Sequence, residues 1–326
     1  MWNKLLERQL KRYIKTVDVS GTEFQDLFAA ISQAYSHHDE DRQLIERSLE
    51  LSSRELSDAN RALREAGKII EMRNREMISS LEYARLVQNS LLAKESTIFE
   101  CFEEAFIINR PRDIVGGDFF WVRQEAGRIF LCVADCTGHG VPGAFMSVIS
   151  FRLLNQAVRD FQLYKPNEIL TFLNEEINKA MSDQQTGLES KDALDISLIV
   201  IDQNSEEVSF SGLGQRVLHF RDGTITELRG DRAHIGQNLS TAVKPISCQQ
   251  LTGKKGDVLY LFSDGIVDQF GGSDLKKFGI ERLRNFLKEN GNAGMKEQKF
   301  GIKTAFLTWM YVRPQIDDVL LLGVRI

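Results

Sequence analysis

Through residues 1–95, apolar positions recur at helical spacing. Residues 1–40 read as one or two short amphipathic helices, with Leu6, Leu10 and Ile14 on one face and Phe24, Leu27, Phe28, Ile31 and Tyr35 on another. Further along, Leu49, Leu56, Leu63, Ile70, Met77 and Ala84 fall seven residues apart. Three positions after each come Ser52, Ala59, Ala66, Arg73, Ser80 and Val87. This is coiled-coil spacing, with a well-filled a column and a d column of small or polar residues that bury little. Leu81 and Leu91 lie off that register, so the phase is expected to slip near residue 80. A parallel dimeric coiled coil is the favoured arrangement. A hairpin within one chain comes next, and a lone solvated helix last, because it leaves the leucine stripe wet.

From residue 96 the pattern changes to short apolar runs separated by turn residues, which predicts mixed strands and helices. Composition places the boundary in the same region. Residues 1–95 contain no proline and two glycines, Gly21 and Gly67, whereas the remainder holds all 5 prolines and most of the 24 glycines. The expected organisation is a helical segment over 1–40, a coiled-coil linker or dimerisation helix over 41–95, and a catalytic domain over 96–326. Apolar residues at 42% are enough to bury a sizeable core. A net charge of −5 argues against nucleic acid or an anionic membrane as a general partner. The four cysteines, Cys101, Cys132, Cys136 and Cys248, form no CxxC pair and no disulfide framework. The charged amino terminus lacks a signal-peptide core, and no apolar run is long enough to span a bilayer. The expected location is the cytoplasm, with no membrane insertion.

Candidate chemistry sits at strand ends. In IVGGDFFWV, IFLCVADCTGHG, VLYLFSDGIVD and QIDDVLLLGVRI, an apolar run abuts aspartate: Asp118, Asp135, Asp264, and Asp317 with Asp318. One such aspartate is ordinarily a turn former or helix cap. Four against buried strands, with few cations flanking them, call for a partner, and oxygen-only ligation selects a hard divalent ion.

The strings RPRDIVGGDFF, VADCTGHGVPGAFMSVIS, FSDGIVDQF and QIDDVLLLGVRI, in that order over roughly residues 96–326, closely resemble the PPM-type metal-dependent protein serine/threonine phosphatases, in their bacterial SpoIIE-like branch. The resemblance implies an α+β fold: a four-layer α-β-β-α sandwich, here preceded by an all-helical coiled-coil arm. It implies two Mn²⁺ or Mg²⁺ ions that activate water for hydrolysis of phosphoserine or phosphothreonine. Asp135 resembles the carboxylate that bridges both ions, and Cys136 would offer only its main-chain carbonyl. Asp264 and Asp317 resemble ligands of the second ion, and Asp118 the acid that holds a metal or its waters. Asp318 is either a more distant acid of the site or a strand cap. Arg112, with Arg110 as the alternative, is the candidate for phosphate oxygens, and a surface role competes evenly. Gly138 and Gly140 suit a tight turn beside the site. His139 belongs to the motif, with a turn-stabilising role ahead of proton transfer. Trp121 stands where many relatives carry an acid, and Gly214–Gln215 where many carry a GH-type turn. Asp192 and Asp195 lie near the site's expected position without an assigned role.

The helix after Pro142 carries Phe145, Met146, Val148, Ile149, Leu153 and Leu154, which need a partner surface. In this branch such a helix is the element that signals arriving through a linker reposition. The implied partners are a phosphorylated regulatory protein of the anti-sigma-factor antagonist type as substrate, and a second copy paired through residues 45–91. The rival reading is a catalytically inactive coiled-coil scaffold with a phosphatase-like partner-binding domain. Such a scaffold should have lost acids, whereas all of them stand.

Overall fold

The computed structural model describes residues 3–13, 21–136, 138, 140–182, 193–236 and 245–326. Its helices are α1 (Lys4–Tyr13), α2 (Thr22–Leu91), α3 (Glu95–Cys101), α4 (Val141–Arg159), α5 (Pro166–Ser182), α6 (Gly265–Asp268), α7 (Ile280–Asn290) and α8 (Met295–Met310). The strands are β1 (Ala105–Arg110), β2 (Phe119–Glu125), β3 (Arg128–Cys136), β4 (Leu194–Asp202), β5 (Glu207–Leu213), β6 (Arg216–Arg221), β7 (Thr224–Arg229), β8 (Gln249–Thr252), β9 (Val258–Phe262), β10 (Phe270–Gly271), β11 (Lys276–Lys277) and β12 (Val319–Arg325). The chain divides into two compact units, Met1–Met77 and Ile78–Ile326.

In the first unit, α1 packs on the start of α2. Leu6 and Phe28 are buried, and the Tyr35 hydroxyl lies 3.2 Å from Gln9 Oε1 as its donor. The face at Phe24–Tyr35 does not form a separate short helix. It opens α2, which continues without interruption because no proline intervenes, and a lone Gly67 costs only about 1 kcal/mol relative to alanine. The a column stays wet within the chain: Leu49, Leu56, Leu63 and Ile70 are 64%, 65%, 70% and 61% exposed. Among the described residues, no intrachain hairpin covers it.

The second unit is built from two five-stranded antiparallel sheets, ordered β1-β12-β9-β6-β7 and β2-β3-β4-β5-β8. Period-two alternation sorts the side chains into layers. Ile129, Leu131 and Val133 of β3 meet Leu259, Leu261, Leu320 and Leu322 of the facing sheet. On the opposite face of β3, Phe130, Cys132 and Ala134 pack under Leu154, Ala157 and Val158 of α4 and Ile169, Leu170 and Leu173 of α5. Tyr260, Phe262 and Leu321 pack under Leu283 and Leu287 of α7 and Ile302 and Phe306 of α8. The result is the expected four-layer α-β-β-α sandwich behind a long helix.

The entry to β9 is tied to β6 by a buried ion pair. Arg221 Nε donates to Asp257 Oδ1 at 2.8 Å, and the Lys254 backbone N–H donates to Oδ2 at 2.9 Å. Burial pushes the Asp257 carboxyl up, but these donors more than offset it and hold it at about 2. A carboxyl whose folded pKa lies below its unfolded value stabilises fully above the unfolded pKa and loses that contribution as pH falls through the folded one. Asp257→Asn should therefore cost about 2 kcal/mol at pH 7. Urea denaturation of both proteins should show the gap closing between about pH 4 and pH 2.

Candidate metal centre

The inner faces of both sheets end at the same place, and the acids lie there. Asp135 is the penultimate residue of β3 and shares the inner face with Val133 and Leu131 by alternation. Asp118 immediately precedes β2, in phase with inner-facing Phe120 and Val122. From the other sheet, Asp264 follows β9 by two residues, and Asp317 and Asp318 precede β12. Each strand meets the rim at the end where its apolar run abuts aspartate, so the hydrophobic pattern itself delivers the carboxylates to one rim.

Asp318 holds the arrangement. Its Oδ1 accepts the Arg112 backbone N–H at 2.7 Å, and its Oδ2 accepts that of Gly117 at 2.6 Å and, more weakly, that of Asp118 at 3.4 Å. Its own N–H donates to Asp317 Oδ1 at 2.9 Å. Asp318 thus fastens the 112–118 loop to β12 as a backbone anchor. Gly117 is required at the closest approach: a Cβ there would stand 2.8 Å from the Cys136 carbonyl oxygen.

Electrostatics mark the rim as a place that wants positive charge. Burial raises the Asp118 carboxyl well above its ordinary range, and Asp318 and Asp317 raise it further, against a favourable contact with Ser263. Asp135 is raised by burial and then by the charges of Asp118, Asp264, Asp317 and Asp195. Asp264 is raised by desolvation, though the residue is exposed, and next by Asp317. Asp118 Oδ2 is buried without a hydrogen-bond partner. An orphaned carboxylate oxygen facing like charges is the environment a hard cation relieves, and the donor set is all oxygen. Among the described residues, no three side chains already close into a ligand cage. The residues present nonetheless fit divalent ions of the Mn²⁺ or Mg²⁺ class.

The other expected residues fall as follows. Cys136 is buried and its thiol is raised by desolvation and then by Asp135, so it is neither a ready nucleophile nor a ready thiolate ligand. Arg112 is exposed on the loop, and its Nη1 donates to the Ile316 carbonyl at 2.8 Å, one residue from Asp317. Arg110 ends β1 opposite Val319. Gly138 and Gly140 have φ of 91° and 75°. His139 and Asp192 lie outside the described residues. In α4, Met146 and Leu154 are buried against the sheet, while Phe145 and Ile149 are 67% and 40% exposed.

Sequence reasoning missed Gln88. It lies near the end of α2, within the second unit, and is buried. Its side-chain amide donates to the Gly116 carbonyl at 2.7 Å and to Ser147 Oγ of α4 at 2.9 Å. The Ser147 hydroxyl in turn donates to the Ala144 carbonyl at 2.8 Å. One amide therefore joins the helix end, the acid-bearing loop and α4. A polar residue off the heptad seam gives no periodic signal, so only the coordinates could find it.

A family model described as "Stage II sporulation protein E (SpoIIE)" matches residues 125–326. No curated protein matches the chain. Among solved structures, the chain is similar to the SiaA-PP2C domain of Pseudomonas aeruginosa, with TM-score 0.69 and 28% identity over 78% of this chain and 98% of that one. It shares its fold with the PP2C phosphatase domain of SpoIIE from Bacillus subtilis, with TM-score 0.55 and 16% identity over 68% of this chain and 63% of that one. The RsbU and RsbW domains of Rv1364c from Mycobacterium tuberculosis give TM-score 0.54 and 17% identity over 68% and 60% of the two chains.

Removing the Gln88 amide leaves a buried carbonyl short of a donor. Gln88→Ala should lower stability by about 1–3 kcal/mol, read by urea denaturation. Gln88→Glu should cost at least as much, because a carboxylate there meets the Gly116 carbonyl as a second acceptor.

Proposed function

Because the chain belongs to the SpoIIE family of PP2C-type protein phosphatases, we propose that it is a Mn²⁺- or Mg²⁺-dependent hydrolase of phosphoserine and phosphothreonine on a regulatory protein. The observation that carries this reading is the convergence of acids from two sheets on one rim, with Asp118 Oδ2 buried and unpartnered.

Asp118, Asp135, Asp264, Asp317 and the Cys136 carbonyl would hold two ions. The ions would supply an activated water and neutralise phosphoryl oxygens, so no covalent phosphoenzyme is needed. The chain's own part is to hold its oxygens in place before substrate arrives. Asp318 does so through the 112–118 loop, and the apolar strands behind the acids keep the site's floor dry. Arg112 spends one of its five donors on Ile316, which leaves others for a phosphoryl oxygen. The exposed position of Asp264 leaves the rim open to a phosphorylated segment of another protein. The class of substrate, a phosphorylated antagonist of an anti-sigma factor, follows from the resemblance. An inactive scaffold gains no support, since every acid is retained at the rim.

The exposed a column of α2 supports a homodimer through residues 45–91, because a second copy would cover leucines left exposed among the described residues. Among the described residues, no helix is long and apolar enough to cross a membrane. A cytoplasmic setting is part of this proposal.

Two experiments test it. Wild-type protein with Mn²⁺ should dephosphorylate a phosphothreonine peptide and lose that activity in EDTA. Asp135→Asn should lower turnover by about 100-fold or more and weaken Mn²⁺ binding in calorimetry, with circular dichroism unchanged. A mutant at the wild-type rate overturns the site assignment. For the dimer, Leu56→Asn with Leu63→Asn removes about 1–3 kcal/mol of apolar burial per side chain. Light scattering should report a dimer for the wild type and a monomer for the double variant.

A further inference from the structure

Asp195 and His234 form a pair that the metal centre, as described, does not use. In the sheet register Asp135 of β3 lies directly opposite Asp195 of β4. On the other side of β4, an isolated antiparallel bridge joins Leu194 to Ile235, which sets Asp195 opposite His234. Directly opposed residues of antiparallel strands point to the same face. The three side chains therefore form one row on the inner face, about 5 Å from strand to strand. The row begins at the acid expected to bridge the ions and ends at an imidazole.

The pair is built. His234 Nδ1 is hydrogen-bonded to Asp195 Oδ1. The carboxylate sits against Gly214, whose φ is 69°, and a Cβ there would fall 2.2 Å from Oδ1. Gly214 thus makes room for the acid and excludes any larger residue. The backbone on the histidine side is pinned by Asn174, whose Oδ1 accepts the Gly236 N–H at 3.1 Å. Leu194 and Ile235 exchange both backbone hydrogen bonds at 3.0 Å. With Nδ1 engaged, the second ring nitrogen, Nε2, is the one left to meet substrate. The His234 side chain is 41% exposed while that of Asp195 is 27% exposed, so the ring stands on the accessible side of its anchor.

Hydrolysis of an alkyl phosphate needs a proton at the ester oxygen. As the incoming water oxygen bonds to phosphorus, the phosphorus–oxygen ester bond breaks and its electron pair stays on the serine or threonine oxygen. An alkoxide leaves poorly, so that oxygen must gain a proton as it departs. Histidine is the side chain suited to exchange one near neutral pH, and an acid group placed this way contributes about 10²–10⁴ in rate. Asp135 and His234 are two strand spacings apart, about 10 Å between backbones, with the Asp195 carboxylate standing between them in the row.

We propose that His234, oriented through Nδ1 by Asp195, donates the Nε2 proton to the departing serine or threonine oxygen. This rests on the phosphatase reading above. Atoms balance over the cycle: the water gives up a proton, the alcohol gains one, and the imidazole is reprotonated from solvent. Asp195 is then a positioning residue, and His234 the catalytic one.

The test compares leaving groups, using the full chain at saturating Mn²⁺. 4-Nitrophenyl phosphate releases a phenolate that departs without a proton, whereas a phosphothreonine peptide releases an alcohol. His234→Gln should lower kcat on the peptide by about 100-fold or more and leave 4-nitrophenyl phosphate within a few-fold of wild type. Asp195→Asn should show the same selectivity with a smaller loss. Equal losses on both substrates would mean that the pair only supports the fold, and no loss on the peptide would mean that the proton comes from elsewhere. Either result overturns the proposal. Wild-type protein inactive on both substrates would overturn the phosphatase reading itself, and this inference with it.

Discussion

Carboxylates gathered at a water-poor rim repel one another, and that repulsion must be opposed by something stronger than the acids themselves. Here the opposing force is the packing of two sheets. Apolar side chains of β2, β3, β9 and β12 bury against each other, and the acids lie within two residues of the ends of those strands. Separating the acids would mean sliding strands whose interiors are fully buried. The fold therefore holds charges in a relation they would not adopt alone, and the strain appears as carboxyls pushed above their ordinary range. A cation held there would relieve that strain. Asp318 adds a second restraint, because three backbone N–H groups of one loop converge on a single side chain.

Much of this was legible in the sequence because it rests on periodic or local signals. Apolar runs bounded by aspartate give both strand positions and acid positions, since a residue at a strand's rim end has nowhere to go but the rim. The seven-residue spacing of Leu49 to Ala84 gives a continuous helix, and Thr22–Leu91 is one. That helix also absorbs the Phe24–Tyr35 face, which the sequence read as a separate short element. Local amphipathicity cannot distinguish a short helix from the first turns of a long one when no breaker follows.

What could not be read depends on contacts far apart in sequence. Asp318 could cap a strand or serve the site, and only its partners at Arg112 and Gly117 decide. Gln88 is ordinary in composition and position until Gly116 and Ser147 are seen beside it. His234 has no metal-ligand spacing to any other histidine. Its meaning comes from register: a bridge between two single residues places it in line with Asp195 and Asp135. Periodicity reports which face a residue occupies, but not which residue of another strand stands opposite.

A primary amide has two hydrogens, and Gln88 commits its nitrogen to two acceptors on different elements. Consecutive residues of a helix are rotated by about 100°. A turn of that size at the end of α2 would carry the amide away from both acceptors together, since a side chain cannot follow one and abandon the other without losing its burial. The loop that carries Asp118 and the helix that begins at Val141 would lose the same donor in one event. One side chain thus ties the rotational position of the end of α2 to the acid-bearing loop and to α4 at once.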